Sequence, residues 1–81
     1  MGRAGKALKQ VLRTYRIRQN TLALSLGVDR SLVFRWFHEQ TQPNSETIVE
    51  IVKALKGIDP VAAKRFVELY LGELVEDVEE D

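Results

Sequence analysis

The 81-residue chain has 12 Lys and Arg against 12 Asp and Glu, no cysteine and one histidine, and 44% of it is hydrophobic. That length sets one domain around one core, and the even spread of apolar residues argues against disorder except at the ends. The absence of cysteine excludes disulfides, thiolate metal sites and cysteine nucleophiles.

A single histidine, His38, cannot build a metal cluster or a catalytic triad. The carboxylates form no convincing catalytic pair and no glycine-rich phosphate loop is present. Neither enzyme activity nor a cofactor or metal is therefore expected. No apolar run approaches the ~20 residues that span a bilayer, and MGRAGKALKQ lacks the continuous apolar segment of a secretory signal. A cytoplasmic chain without membrane contact is the expectation.

The zero net charge hides a division. From Met1 to His38 eight cations face the single anion Asp29, a balance of +7, and from Glu39 to Asp81 four cations face eleven anions, a balance of −7. Such asymmetry points to a basic half facing a polyanion and an acidic half turned away, unless solvated faces merely segregate by sign.

In chain order, Leu8, Val11, Leu12 and Tyr15 form the apolar stripe of a first helix over Gly5–Tyr15, with Lys6, Lys9, Arg13 and Arg16 off it. Ile17 is a buried linker residue. A second helix is predicted over Gln19–Leu26, where Leu22, Ala23 and Leu26 share a face. Gly27 stands where a helix end accepts positive φ, and Val28 plugs the corner that follows. Asp29 is a suitable N-cap for a third helix over Arg30–His38, which turns Val33, Trp36 and Phe37 inward and leaves Arg30, Ser31, Phe34, Arg35 and His38 outward. Ala23, small, lies where these two helices cross. Pro43 breaks the chain at Gln42, and Asn44 caps a fourth helix over Ser45–Lys56 with Ile48, Ile51, Val52 and Leu55 as its core face. Gly57 is placed to end it. Asp59-Pro60 is a cap followed by proline at the first helical position, opening a fifth helix over about residues 60–76. Residues 1–4 and 77–81 are expected to fray. The whole chain, 1–81, reads as a single all-α domain of five helices.

Gln19, Leu22-Ala23, Gly27-Val28, Arg30-Ser31, Val33 and Pro43 together resemble the helix-turn-helix of the lambda-repressor and Cro-like family, often called the XRE family. The resemblance runs from about Leu8 to Ile58 without a gap. It implies a lambda-repressor-like fold and a sequence-specific regulator of transcription that lays its third helix, 30–38, in the major groove of double-stranded DNA. A repressor, or an antitoxin that regulates its own operon, fits best. The chain departs from the pattern at four places: Arg16 and Arg18 replace the usual Gly and Ser, Phe37 stands where Glu is common, and Glu39 stands where Gly is common.

On that reading Arg30, Ser31, Phe34 and Arg35 are the base-edge candidates, since Arg forks onto guanine and Ser bonds several edges. Phe34 would meet a thymine methyl, or else pack on its neighbours. Arg16, Arg18, Gln42 and Asn44, with Thr41 beside them, are phosphate candidates, and the resemblance has Gln19 bond a phosphate or brace the third helix. Trp36 and Phe37 look like the Trp-Phe pair of a homeodomain, but the residues that should follow are missing, and a core role is expected.

In the fifth helix Ala62, Phe66, Leu69 and Tyr70 suffice to dock it. A second stripe, Val67, Leu71, Leu74 and Val78, widened by Val75, is surplus at coiled-coil-like spacing. It predicts a homodimer on a palindromic operator, unless the domain wraps both stripes or another protein covers the second. The competing function is a protein-interaction adaptor or antitoxin-like partner-binding protein that uses this acidic, apolar helix.

Overall fold

The computed structural model describes the backbone of residues 3–77 and the side chains of residues 3–72. The described residues form α1 (Arg3–Thr14), α2 (Gln19–Leu26), α3 (Arg30–Phe37), α4 (Ser45–Ile58) and α5 (Pro60–Asp77), and no strand. The five predicted helices are present in the predicted order. α1 packs on α3 and α5, α2 on α3 and α4, and α4 lies along α5.

Every helix contributes to one core. Leu8 and Val11 of α1, Leu22 of α2, Val33 of α3, Ile51 and Leu55 of α4 and Phe66 of α5 are fully buried. Leu12, Ala23 and Trp36 join them, while Val28, Ile48 and Val52 are partly buried against the cluster. Among the described residues no polar or charged side chain is buried. Cohesion therefore rests on apolar burial, roughly 1.5–3 kcal/mol for each large side chain.

The ends of the first three helices share one device. Ile17 N–H donates to Leu12 O and Arg16 N–H to Arg13 O; Val28 N–H donates to Ala23 O and Gly27 N–H to Leu24 O; Gln40 N–H donates to Arg35 O and Glu39 N–H to Trp36 O. Each is the paired closure of a Schellman motif, which requires a left-handed residue just past the helix. Gly27 supplies it at φ 74°, whereas Arg16 and Glu39 supply it at φ 58°. These are the two positions at which the resembled family carries glycine.

Other boundaries differ in detail from expectation. α1 begins at Arg3, and Ala4 is buried rather than frayed. Gly5 explains the close approach, because a Cβ there would stand 2.5 Å from the Trp36 carbonyl oxygen at the end of α3. α4 does not stop at Gly57 but runs to Ile58, which packs on the core. Asp59 ends it instead, leaving the helical region at φ −158° and ψ 104°, as a residue before proline must. The Asp59 Oδ1 then accepts from Val61 N–H at 3.0 Å and Ala62 N–H at 3.4 Å, capping α5. Asn44 caps α4 as predicted, accepting from Thr47 N–H at 2.8 Å. Asp29 has the extended backbone of an N-cap, but its carboxylate makes no capping bond and acts on α3 through charge alone.

Candidate nucleic-acid interface

The turn that sets the interface is short. α2 ends at Leu26, Gly27 reverses the chain, Val28 tucks against the core, and α3 starts at Arg30. Ala23 is buried where α2 meets α3, and its carbonyl accepts both Gly27 N–H at 2.9 Å and Val28 N–H at 3.1 Å. Val33 and Trp36 anchor α3 from below, so its opposite face is open to solvent. Arg30, Ser31, Phe34 and Arg35 are all exposed there.

A concavity beside α3 is lined by Leu12, Arg13, Ile17, Arg18, Gln19, Asn20, Arg30, Phe34 and Phe37. Its apolar floor carries a rim of Arg13, Arg18 and Arg30. Four candidates thus meet in one place: Arg18, Gln19, Arg30 and Phe34. Ser31 and Arg35, one position further round the helix, are exposed but do not line it. Thr41, Gln42 and Asn44 lie apart on the exposed connection to α4, and the Asn44 Oδ1 is committed to its helix cap. Arg18 occupies the N-cap position of α2 without a side-chain cap bond. Arg16, also exposed, lies with Arg18 in a separate depression bounded by Tyr15, Thr21 and Asp59.

The aromatic residues divide as their positions in α3 require. Trp36 is buried. Phe37 is partly buried against the core and covered by cations, with Lys9 Nζ 5.6 Å and the Arg13 guanidinium 5.7 Å from its ring centroid. Phe34 is 45% exposed, and its ring centroid lies 4.2 Å from that of His38. Sequence reasoning missed Arg13, Asn20 and Lys9. Lys9 and Arg13 stand four residues apart on α1, a spacing that marks a shared face. It does not reveal that Phe37 lies beneath them.

On α5, Ala62 and Phe66 are buried and Leu69 and Tyr70 packed against the core, as the docking stripe predicts. Val67 and Leu71 line an apolar groove with Ile48, Val49, Val52, Lys53, Phe66 and Tyr70, between α4 and α5. Leu71 is 44% exposed and Val49 51% exposed, so the helices do not close over this stripe. The side chains of Leu74 and Val75, and Val78 altogether, lie outside the described residues.

A five-helix bundle that buries one side of α3 and offers the other with a cationic rim defines a helix-turn-helix DNA-binding domain. A family model described as helix-turn-helix matches residues 8–61. The chain belongs to the lambda-repressor-like (XRE) helix-turn-helix family, whose members are DNA-binding transcription regulators. No curated relative and no solved structure matches it. Among the described residues no cluster of His, Asp or Glu could hold a metal, and no helix is long and apolar enough to cross a membrane.

Proposed function

We propose that the protein is a cytoplasmic, sequence-specific transcriptional repressor that reads double-stranded DNA with residues 30–38 in the major groove. The convergence of Arg18, Gln19, Arg30 and Phe34 on one exposed face, in the half of the chain with a charge of +7, carries this reading. Arg30 and Ser31 open α3, where side chains reach base edges in this geometry, and Arg35 follows one turn later. Arg18, Gln19, Thr41, Gln42 and Asn44 flank the helix and fix its register on phosphates.

The active form is a homodimer paired through α5, with Val67, Leu71, Leu74, Val75 and Val78 as the seam. The accessible groove at Val67 and Leu71 supports it, and a two-fold pair would set two reading helices against a palindromic site.

Selection of bound sequences from a random duplex pool, followed by titration against salt, tests the reading. Replacing Arg30 by Ala should cost about 1–3 kcal/mol and relax preference at one base pair. Replacing Arg18 should weaken all sequences alike and lower the salt slope by about 1. An Arg30→Ala variant with parental affinity and preference would refute the assignment of the reading helix. The absence of binding to any duplex at low salt would favour the adaptor or antitoxin-like alternative. For the dimer, sedimentation of the parent beside a Leu71→Glu, Leu74→Glu variant should show a dimer and a monomer. A parent monomeric well above micromolar concentration sinks the pairing.

A further inference from the structure

We propose that Phe34, braced by His38, senses the C5-methyl group of a pyrimidine in the major groove. The inference rests on the major-groove reading above and names the chemical group that one side chain of that site recognises.

Phe34 lies one turn beyond Arg30 on the open face of α3, and 45% of it is accessible. Its ring does not lie loose. The His38 ring leans on it at 4.2 Å with an interplanar angle of 46°, and His38 itself meets the edge of Phe37 at 5.2 Å. Phe37 is fixed in turn by the core below and by Lys9 and Arg13 above. Three rings and two cations thus form a continuous packed row that ends at Phe34. A ring held in this way before binding has lost much of its rotational freedom, so contact made with it is less offset by ordering.

The surroundings specify what meets it. Arg13, Arg18 and Arg30 line the same concavity, so the ring is an apolar spot within a cationic rim. A polyanion is drawn to that rim, while an apolar protein surface would have to desolvate the guanidinium groups to reach the ring. On the floor of the major groove the apolar group a base presents is the C5-methyl of thymine, and 5-methylcytosine carries the same group at the same carbon. Burial of one methyl against the ring corresponds to about three- to fivefold in affinity.

The test uses the full chain and its selected duplex, with each thymine replaced in turn by deoxyuridine, which removes the methyl and nothing else. The expected result is one thymine in each half-site whose replacement weakens binding by about three- to fivefold. Phe34→Ala should bind the two duplexes alike, and Phe34→Leu should keep part of the difference. Both variants alter an exposed position, and unchanged thermal unfolding would confirm that they fold. His38→Ala should shrink the discrimination without moving the salt slope, and His38→Tyr should restore it, because an aromatic brace is what the position requires. Replacing a cytosine at the same groove position by 5-methylcytosine should recover affinity in the parent alone. A flat deoxyuridine scan on a duplex the parent binds tightly overturns the proposal and leaves the DNA-binding reading standing. A Phe34→Ala variant that weakens binding but retains the full thymine preference overturns it too. Failure to bind any duplex at low salt overturns the underlying reading and this inference with it.

Discussion

At the end of α2 the chain turns back through Gly27, and at the ends of α1 and α3 it makes the same turn through Arg16 and Glu39. The paired hydrogen bonds are the same in all three places, and the φ angles are close, 74° against 58°. What differs is the cost. Glycine enters the left-handed region freely, whereas a residue with a Cβ does so at roughly 1–2 kcal/mol. The geometry at Arg16 and Glu39 is therefore imposed by what the chain must reach next, Ile17 against Leu12 in one case and the α4 connection in the other. Local preference chooses the turn at Gly27, and tertiary packing enforces it at the other two.

The comparison can be broken most severely at Gly27. A β-branched residue there is held in a region it rarely enters, and Gly27→Val should destabilise the domain by about 2–3 kcal/mol in urea unfolding. Space does not limit the substitution, since no atom beyond the glycine and its two chain neighbours lies within 4 Å of where a Cβ would stand. A parental urea midpoint would mean the strain argument fails at all three ends.

Gly5→Ala probes the end of α3 from the other side. Helix propensity alone would make this change stabilising by up to about 1 kcal/mol. The new Cβ, however, would lie 2.5 Å from the Trp36 carbonyl and 3.0 Å from Glu39 Cγ. Backbone cannot swing away as a side chain can, so overpacking should win, with a net loss of about 1–2 kcal/mol. A gain in stability would show that α1 slides freely along α3.

The smallest changes sharpen the contrast between Arg16 and Glu39. Replacing either by Gly should relieve about 1 kcal/mol of strain, less the entropy glycine adds to the unfolded chain. Charge then separates them. A carboxylate just past a helix C-terminus opposes the macrodipole, and a guanidinium there complements it. Glu39→Gly should raise the melting temperature visibly, and Arg16→Gly should leave it near the parent. A reversed order would mean that macrodipole charge does not govern these ends.

The five helices were legible because each carries both a 3.6-residue apolar stripe and a terminal signal: Gly27 after α2, Asn44 before α4, and Asp59-Pro60 before α5. The misreadings have a common cause. Gly57 looked like a terminator, but Ile58 is worth more packed against the core than released, and Pro60 set the true stop two residues later. The buried Ala4 and the clearance at Gly5 depend on where α3 ends in space, which no local pattern records. Within the candidate site, exposure of Arg30, Ser31, Phe34 and Arg35 followed from helix phase alone. That Arg13 and Asn20 line one concavity with Phe34, and that Lys9 and Arg13 cover Phe37, is a matter of how α1, α2 and α3 lean together. That is a three-dimensional fact the spacing does not contain.

Asp59 is the single residue between α4 and α5, and it is bonded in both directions. Such a joint behaves as a fixed elbow, so α5 is a rigid extension of the reading domain. Under the proposed pairing, the distance between two reading heads becomes a ruler graduated in helical residues. Because Ala62, Phe66, Leu69 and Tyr70 dock the same helix, inserting one residue into α5 between Asp59 and Val67 would rotate the seam by about 100° and pull Phe66 out of the core with it. Under that pairing half-site spacing is tied to the same core that folds the domain, whereas operator sequence can drift with the exposed face of α3.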